Sequence, residues 1–210
     1  NVVVGYRALT TDTLGSKTVA IGDQALENQN FTTATDTLNT AVGASAGNQV
    51  TTGVQNTFIG GGSGDAITTG AGQNSVAVGR QALFTQNQTT ATDVYNTAVG
   101  ANAGLSITTG IQNVLIGGLA GDALTESSNN VAVGNTALGA DTLGGRSVAV
   151  GASALETQNH TTSTSAYNIG VGFTAGQSIT TGIQNTLIGG LAGDALTDAD
   201  YNVAVGTSAL

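Results

Sequence analysis

The chain has 210 residues, with 32 Gly, no Pro, Cys, Met or Trp, 8% charged residues and a net charge of −9. Without cysteine there is neither a disulfide scaffold nor a thiolate metal site, and four basic residues (Arg7, Lys17, Arg80, Arg146) are too few to displace counterions from phosphates, so no nucleic acid partner is expected. At 40% apolar the chain is too hydrophobic for disorder, yet no run approaches the ~18 apolar residues of a membrane helix, so no direct membrane insertion is expected.

From its first residue the sequence repeats. A unit [Asn/Ser/Thr]-[β-branched]-x-[Val/Ile]-Gly recurs twelve times, in rungs starting near Asn1, Thr18, Asn39, Asn56, Ser75, Asn96, Asn113, Asn130, Ser147, Asn168, Asn185 and Asn202. The closing glycines, Gly5 to Gly206, are spaced 17, 19 or 21 residues apart. Three residues after each comes Ala in eleven copies and Ser63 in one, followed by Leu or Gly. The rungs fall into four kinds that cycle every 72 residues, from Gly79 to Gly151. The preceding cycle, Gly22 to Gly79, is 57 residues and lacks the fourth kind. Loss of a whole unit is tolerable where each unit touches mainly its neighbours, as in a solenoid. Residues 1–210 therefore read as a single repetitive β-solenoid segment. The chain opens on the first residue of a repeat and stops inside another, as expected of a piece of something larger.

Within a rung such as Asn130-Val131-Ala132-Val133-Gly134, the second and fourth positions are β-branched and share one face of a strand. The third is usually Ala and points the other way, so both faces need cover. Glycine then permits a turn. The following x-x-Ala-Leu/Gly segment predicts a second short strand, and a polar turn such as Thr108-Thr109-Gly110 returns the chain. So thin a coil leaves an apolar side exposed. The simplest cover is identical chains around a shared axis, with small Ala at the third position allowing close approach.

Stretches such as Ser75-Val76-Ala77-Val78-Gly79 and Ser147-Val148-Ala149-Val150-Gly151 resemble the head repeats of trimeric autotransporter adhesins. The NTAVGxxAG and TTGxxN patterns are also similar to repetitive phage tail-fibre shafts. The resemblance implies an all-β, left-handed, parallel β-roll that is homotrimeric and extracellular, on a cell surface or a virion. Its partners would be surface glycans or receptors of a host or cell. The rungs here are longer than the short head repeats of that family.

The long loops are the candidate ligand-binding surface. They recur three times, and the candidate residues are Asn28, Gln29, Asn30 and Phe31; Gln86, Asn87 and Gln88; and Gln158, Asn159 and His160. Loops on a rigid rod commonly carry recognition residues, and amides beside a ring suit sugars. The alternative is that these loops only close a turn or pack on a neighbouring chain. Asn opens nine of the twelve rungs and predicts a structural amide ladder. Asp65, Asp122 and Asp194 lie in GDA[Ile/Leu] turns too far apart in sequence to converge on calcium. His160, the sole histidine, is expected to be exposed on its loop. Gly60-Gly61-Gly62-Ser63-Gly64 lacks the Lys and helix of a phosphate cradle. No catalytic residue, metal site or cofactor is expected, and the chain reads as a non-enzymatic adhesive or structural fibre segment. The alternatives are an ice-binding β-solenoid, which needs a flat outward row of Thr, and an extracellular filament that self-assembles without a ligand. Thr40, Thr57, Thr97 and Thr186 share their position with Val and Ile, which argues that the position is buried.

Overall fold

The computed structural model describes residues 1–67, 73–88 and 93–210, and no helix occurs among them. Twelve three-residue strands run Val2–Val4, Val19–Ile21, Thr40–Val42, Thr57–Ile59, Val76–Val78, Thr97–Val99, Val114–Ile116, Val131–Val133, Val148–Val150, Ile169–Val171, Thr186–Ile188 and Val203–Val205. They stack in sequence order as one parallel sheet. At ~4.8 Å per strand the stack is roughly 55 Å long. Equivalent residues pair throughout, as in Val131↔Val148 and Ala132↔Ala149. The pairing Val148↔Ile169 spans a 21-residue gap without a slip, so the added residues leave the ladder as loops.

The strands orient their side chains opposite to one expectation. The third position faces the coil's own interior: Ala20, Phe58, Ala98, Leu115, Ala132 and Leu187 are completely buried. The β-branched second and fourth positions form the outward face, where Ile59, Ile116 and Ile188 are each about 40% exposed. The small Ala row therefore packs inside its own chain rather than marking an approach between chains. Thr40, Thr57, Thr97 and Thr186 lie half-buried on the outward face, not in the core.

The segment after each glycine is not a second extended strand. Its backbone alternates in handedness, with positive φ at Gly22 (136°), Gln24 (57°) and Leu26 (49°), and the pattern repeats in the other rungs. The reason is packing. Ala25 and Leu26 are consecutive and both fully buried, which an extended strand forbids because it sends neighbours to opposite faces. A left-handed Leu costs about 1–2 kcal/mol. Burial offsets this, as do bonds to both adjacent rungs: Gln24 N–H donates to Tyr6 O at 2.8 Å, and Leu26 N–H to Ala46 O at 3.0 Å. Among the described residues, extended second strands occur beside the long loops, at Gly15–Ser16 with Thr35–Asp36 and Gly144–Gly145 with Thr164–Ser165, and a single bridge joins Gln73 to Asp93.

The Leu-or-Gly alternation has a volume rule behind it. Where Leu follows Ala (Leu9, Leu26, Leu83, Leu138, Leu155), the residue three further on is polar: Asp12, Gln29, Gln86, Asp141 or Gln158. Where Gly follows Ala or Ser63, as at Gly47, Gly64, Gly104, Gly121, Gly176 and Gly193, that residue is Val50, Ile67, Ile107, Leu124, Ile179 or Leu196. A Cβ on Gly104 would stand 2.8 Å from Leu115 and 3.1 Å from Ile107. These two positions thus supply one large apolar interior side chain between them, and the rungs of Gly64, Gly121 and Gly193 have room for Phe58, Leu115 or Leu187 on the facing strand.

Candidate functional site

The opening Asn side chains form a continuous buried ladder. Asn113 Oδ1 accepts from the backbone N–H of Asn130 at 3.0 Å, and its Nδ2 donates to Ser127 O at 2.9 Å. Asn130 repeats this toward Ser147 N–H at 2.9 Å and Gly144 O at 3.1 Å. Each amide thereby satisfies a backbone donor of the next rung and a carbonyl in the turn below it, groups that the dry interior would otherwise leave unpaired.

Three rungs open on Thr18, Ser75 or Ser147 instead, and these are the rungs that carry the long loops. A hydroxyl is too short to span the gap, and a loop glutamine completes the ladder. Gln86 Nε2 donates to Ser75 Oγ at 2.9 Å, while its Oε1 accepts from Asn96 Nδ2 at 2.9 Å. Gln29 bridges Thr18 and Asn39 likewise (3.2 and 2.8 Å), and Gln158 bridges Ser147 and Asn168 (3.2 and 2.8 Å). Of the ten loop residues singled out from the sequence, Gln29, Gln86 and Gln158 are fully buried with their amides engaged inside the coil. Phe31, Gln88 and His160 are also buried, at 5–7% exposure. Asn28 is half-buried, and Asn30, Asn87 and Asn159 are exposed. Each loop thus presents one of these asparagines outward. Thr89 and Thr90, part of the second loop motif, lie outside the described residues.

His160 is packed rather than exposed. Its ring occupies the place Phe31 holds in the first cycle, and a Cβ on Gly144 would come within 2.6 Å of its Nδ1. Its Nδ1 lies 3.6 Å from Asp141 Oδ1, too far for a hydrogen bond. Asp141 is a second interior polar residue that the sequence reading passed over. Its Oδ1 accepts the backbone N–H of His160 and of Gly144, each at 3.0 Å, and its Oδ2 accepts Gln158 Nε2 at 2.5 Å. Burial pushes its carboxyl up, but the adjoining imidazole and these donors outweigh burial and hold it below the ordinary carboxylate value. Asp12 makes the same bonds in the first cycle, to Gly15 N–H at 3.0 Å and Gln29 at 2.8 Å. The shared string Asp-Thr-Leu-Gly at Asp12–Gly15 and Asp141–Gly144 was the available signal. Asp65 and Asp122 are half-buried, and burial raises their carboxyls.

The largest continuous feature is the outward sheet face. Two rows of Val, Ile and Thr run its length, one from each strand's second position and one from its fourth. Rows of this extent exceed the scattered apolar residues normal on a soluble surface. In comparisons with known proteins, no family model, curated protein or solved structure matches the chain.

Proposed function

We propose that the chain is a non-enzymatic segment of an extracellular fibre, an adhesin head or a tail-fibre shaft, that assembles as a homotrimer. The observation that carries this reading is the outward face of β-branched side chains along the whole sheet. A coil whose interior is filled by its own Ala, Leu and Phe side chains needs no partner to close its core. It does need one to keep Val131, Val133 and their counterparts from water. Two identical neighbours around an axis cover that face on every copy at once, and closed symmetry prevents open-ended aggregation. The resemblance to trimeric adhesin heads supports the number three and a left-handed coil. Attachment to surface glycans or receptors follows from the same resemblance and gains from three-fold repetition of weak contacts. The measurement is native mass by light scattering. A mass near three times the 20.5 kDa chain is expected, and a monomer overturns the trimer.

Ice binding is a second reading, favoured by the outward placement of Thr40, Thr57, Thr97 and Thr186. It requires the same face that trimerisation covers. The two readings therefore exclude one another: a monomer with thermal hysteresis supports ice binding, and a trimer without it supports the fibre.

A further inference from the structure

The three long loops share a feature beyond their buried glutamines. The exposed asparagine of each opens the same tripeptide, Asn-x-Thr: Asn30-Phe31-Thr32, Asn87-Gln88-Thr89 and Asn159-His160-Thr161. The middle residue changes from loop to loop; the asparagine and the threonine do not. No other asparagine of the chain has Ser or Thr two residues on. For the ladder asparagines that place is the strand's inward position, as with Ala132 after Asn130. The fold itself does not call for asparagine in the loops. The same place in other described rungs is held by threonine, as at Thr51, Thr108, Thr125 and Thr180. The backbone ladder runs through both alike: Asn159 N–H donates to Thr180 O at 2.8 Å, and Thr108 N–H to Thr125 O at 2.9 Å.

The tripeptide is held with its middle in and its ends out. Phe31 and His160 are buried, whereas Thr32 and Thr161 are exposed, as are the two residues after each. The N–H of Phe31 and that of His160 are tied to Asp12 and Asp141, at 3.4 and 3.0 Å. Of the asparagine side chain, the oxygen is the atom engaged: Asn30 Oδ1 accepts from Thr13 Oγ1 at 3.3 Å, and Asn159 Oδ1 from Thr142 Oγ1 at 3.1 Å. Neither Nδ2 makes a hydrogen bond among the described residues. An exposed amide nitrogen on an anchored backbone, with a hydroxyl residue two positions on, is the acceptor chemistry of N-linked glycosylation, and the bulk of a glycan confines that chemistry to surface loops. The ladder asparagines are the opposite case, since their Nδ2 is committed inside the coil, as Asn113 is to Ser127 O at 2.9 Å. Along the stack the three loop asparagines stand three and four rungs apart, roughly 14 and 19 Å, so each has room for its own glycan.

We propose that Asn30, Asn87 and Asn159 are acceptors of N-linked sugar. The co-substrate is a sugar diphosphate, nucleotide-linked or lipid-linked, brought by a separate transferase. The amide Nδ2 attacks the anomeric carbon. The N–C bond forms as the C–O bond to the diphosphate breaks, the diphosphate leaves with the electron pair, and one amide proton passes to a base of the transferase. The proposal uses neither the trimer nor the outward sheet rows, so its failure and that of the trimer are separately visible. The test is mass spectrometry of tryptic peptides from the protein isolated from the cells that produce it. Cleavage after Lys17, Arg80 and Arg146 puts each acceptor on its own peptide, beginning at Thr18, Gln81 and Ser147. Each peptide is expected to be heavier by whole hexose or N-acetylhexosamine residues, with fragment ions placing the sugar on the asparagine. A single hexose identifies the nucleotide-linked donor, and a preassembled block of several sugars the lipid-linked one. Thr32→Ala and Thr161→Ala, both at exposed positions, should abolish the increment on their own peptides and leave it on the peptide that begins at Gln81; Thr32→Ser should retain it. The proposal is overturned if all three peptides have their unmodified masses, if the sugar lies on Ser or Thr hydroxyls, or if the increments survive Thr32→Ala and Thr161→Ala.

Discussion

Each strand ends on a glycine whose φ lies between 129° and 142°, and the constraint is steric as well as torsional. A Cβ on Gly134 would stand 2.3 Å from the carbonyl oxygen of Gly151, and the same near-collision recurs from Gly5 to Gly189. The neighbouring atom is always backbone, which cannot move without breaking the ladder. Gly134→Ala is therefore expected to destabilise by about 3 kcal/mol or more, read from urea unfolding followed by circular dichroism. The ladder amides make a second sharp case. Asn113→Ala strands the Asn130 N–H and the Ser127 carbonyl in a dry interior. The expected loss is about 2–4 kcal/mol on the same assay, and an effect below about 0.5 kcal/mol would mean that water replaces the amide. Asn113 is legible from sequence as a ladder residue. Gln86 is not, because its partners Ser75 and Asn96 stand 11 and 10 residues away along a looped path.

At the scale of one rung, the long loops anchor from within. The loop glutamine completes the amide ladder while Asp12 or Asp141 draws the following turn against it. The Asp141 carboxyl titrates below its ordinary value in the fold. Its contribution to stability is present above the unfolded-state value near 3.9 and is lost as pH falls through the folded value. Asp65 and Asp122 act in the opposite sense, since burial raises them and acidification relieves their desolvation. The informative quantity is thus a difference between proteins. The gap in unfolding free energy between wild type and Asp141→Asn is expected to shrink between about pH 6 and pH 3. A gap independent of pH would show that the carboxyl has no net role. The loops read from sequence as outward recognition elements because Asn, Gln and Thr are polar. Polarity does not tell a solvated amide from one that satisfies a buried backbone, and only the neighbouring rungs make that distinction.

For the molecule as a whole, the relevant balance is between a self-sufficient interior and an unshielded face. Placing a charge on that face separates the two. Val133→Lys leaves the Ala and Leu core untouched, so the circular dichroism spectrum should remain that of the wild type. The trimer proposed above should then dissociate, with light scattering falling toward the single-chain mass. A spectrum that collapses together with the mass would indicate that the coil folds only on assembly.

The repeat period, the parallel ladder, the glycine turns and the Asn ladder are all properties of the sequence alone. They are local, and a strand glycine or a β-branched pair has the same consequence in every rung. Which face of the strand is inside is not local. Ala and Val are both apolar, and alternation states only that they point in opposite directions. Opposite a fully buried Ala–Leu pair such as Ala25–Leu26 the third position is a small Ala20, whereas in the rungs of Gly64, Gly121 and Gly193, where Gly replaces that Leu, it is filled by Phe58, Leu115 or Leu187. The burial of His160 and of the loop glutamines has the same origin, since it depends on the space that adjacent rungs leave and not on the residues themselves.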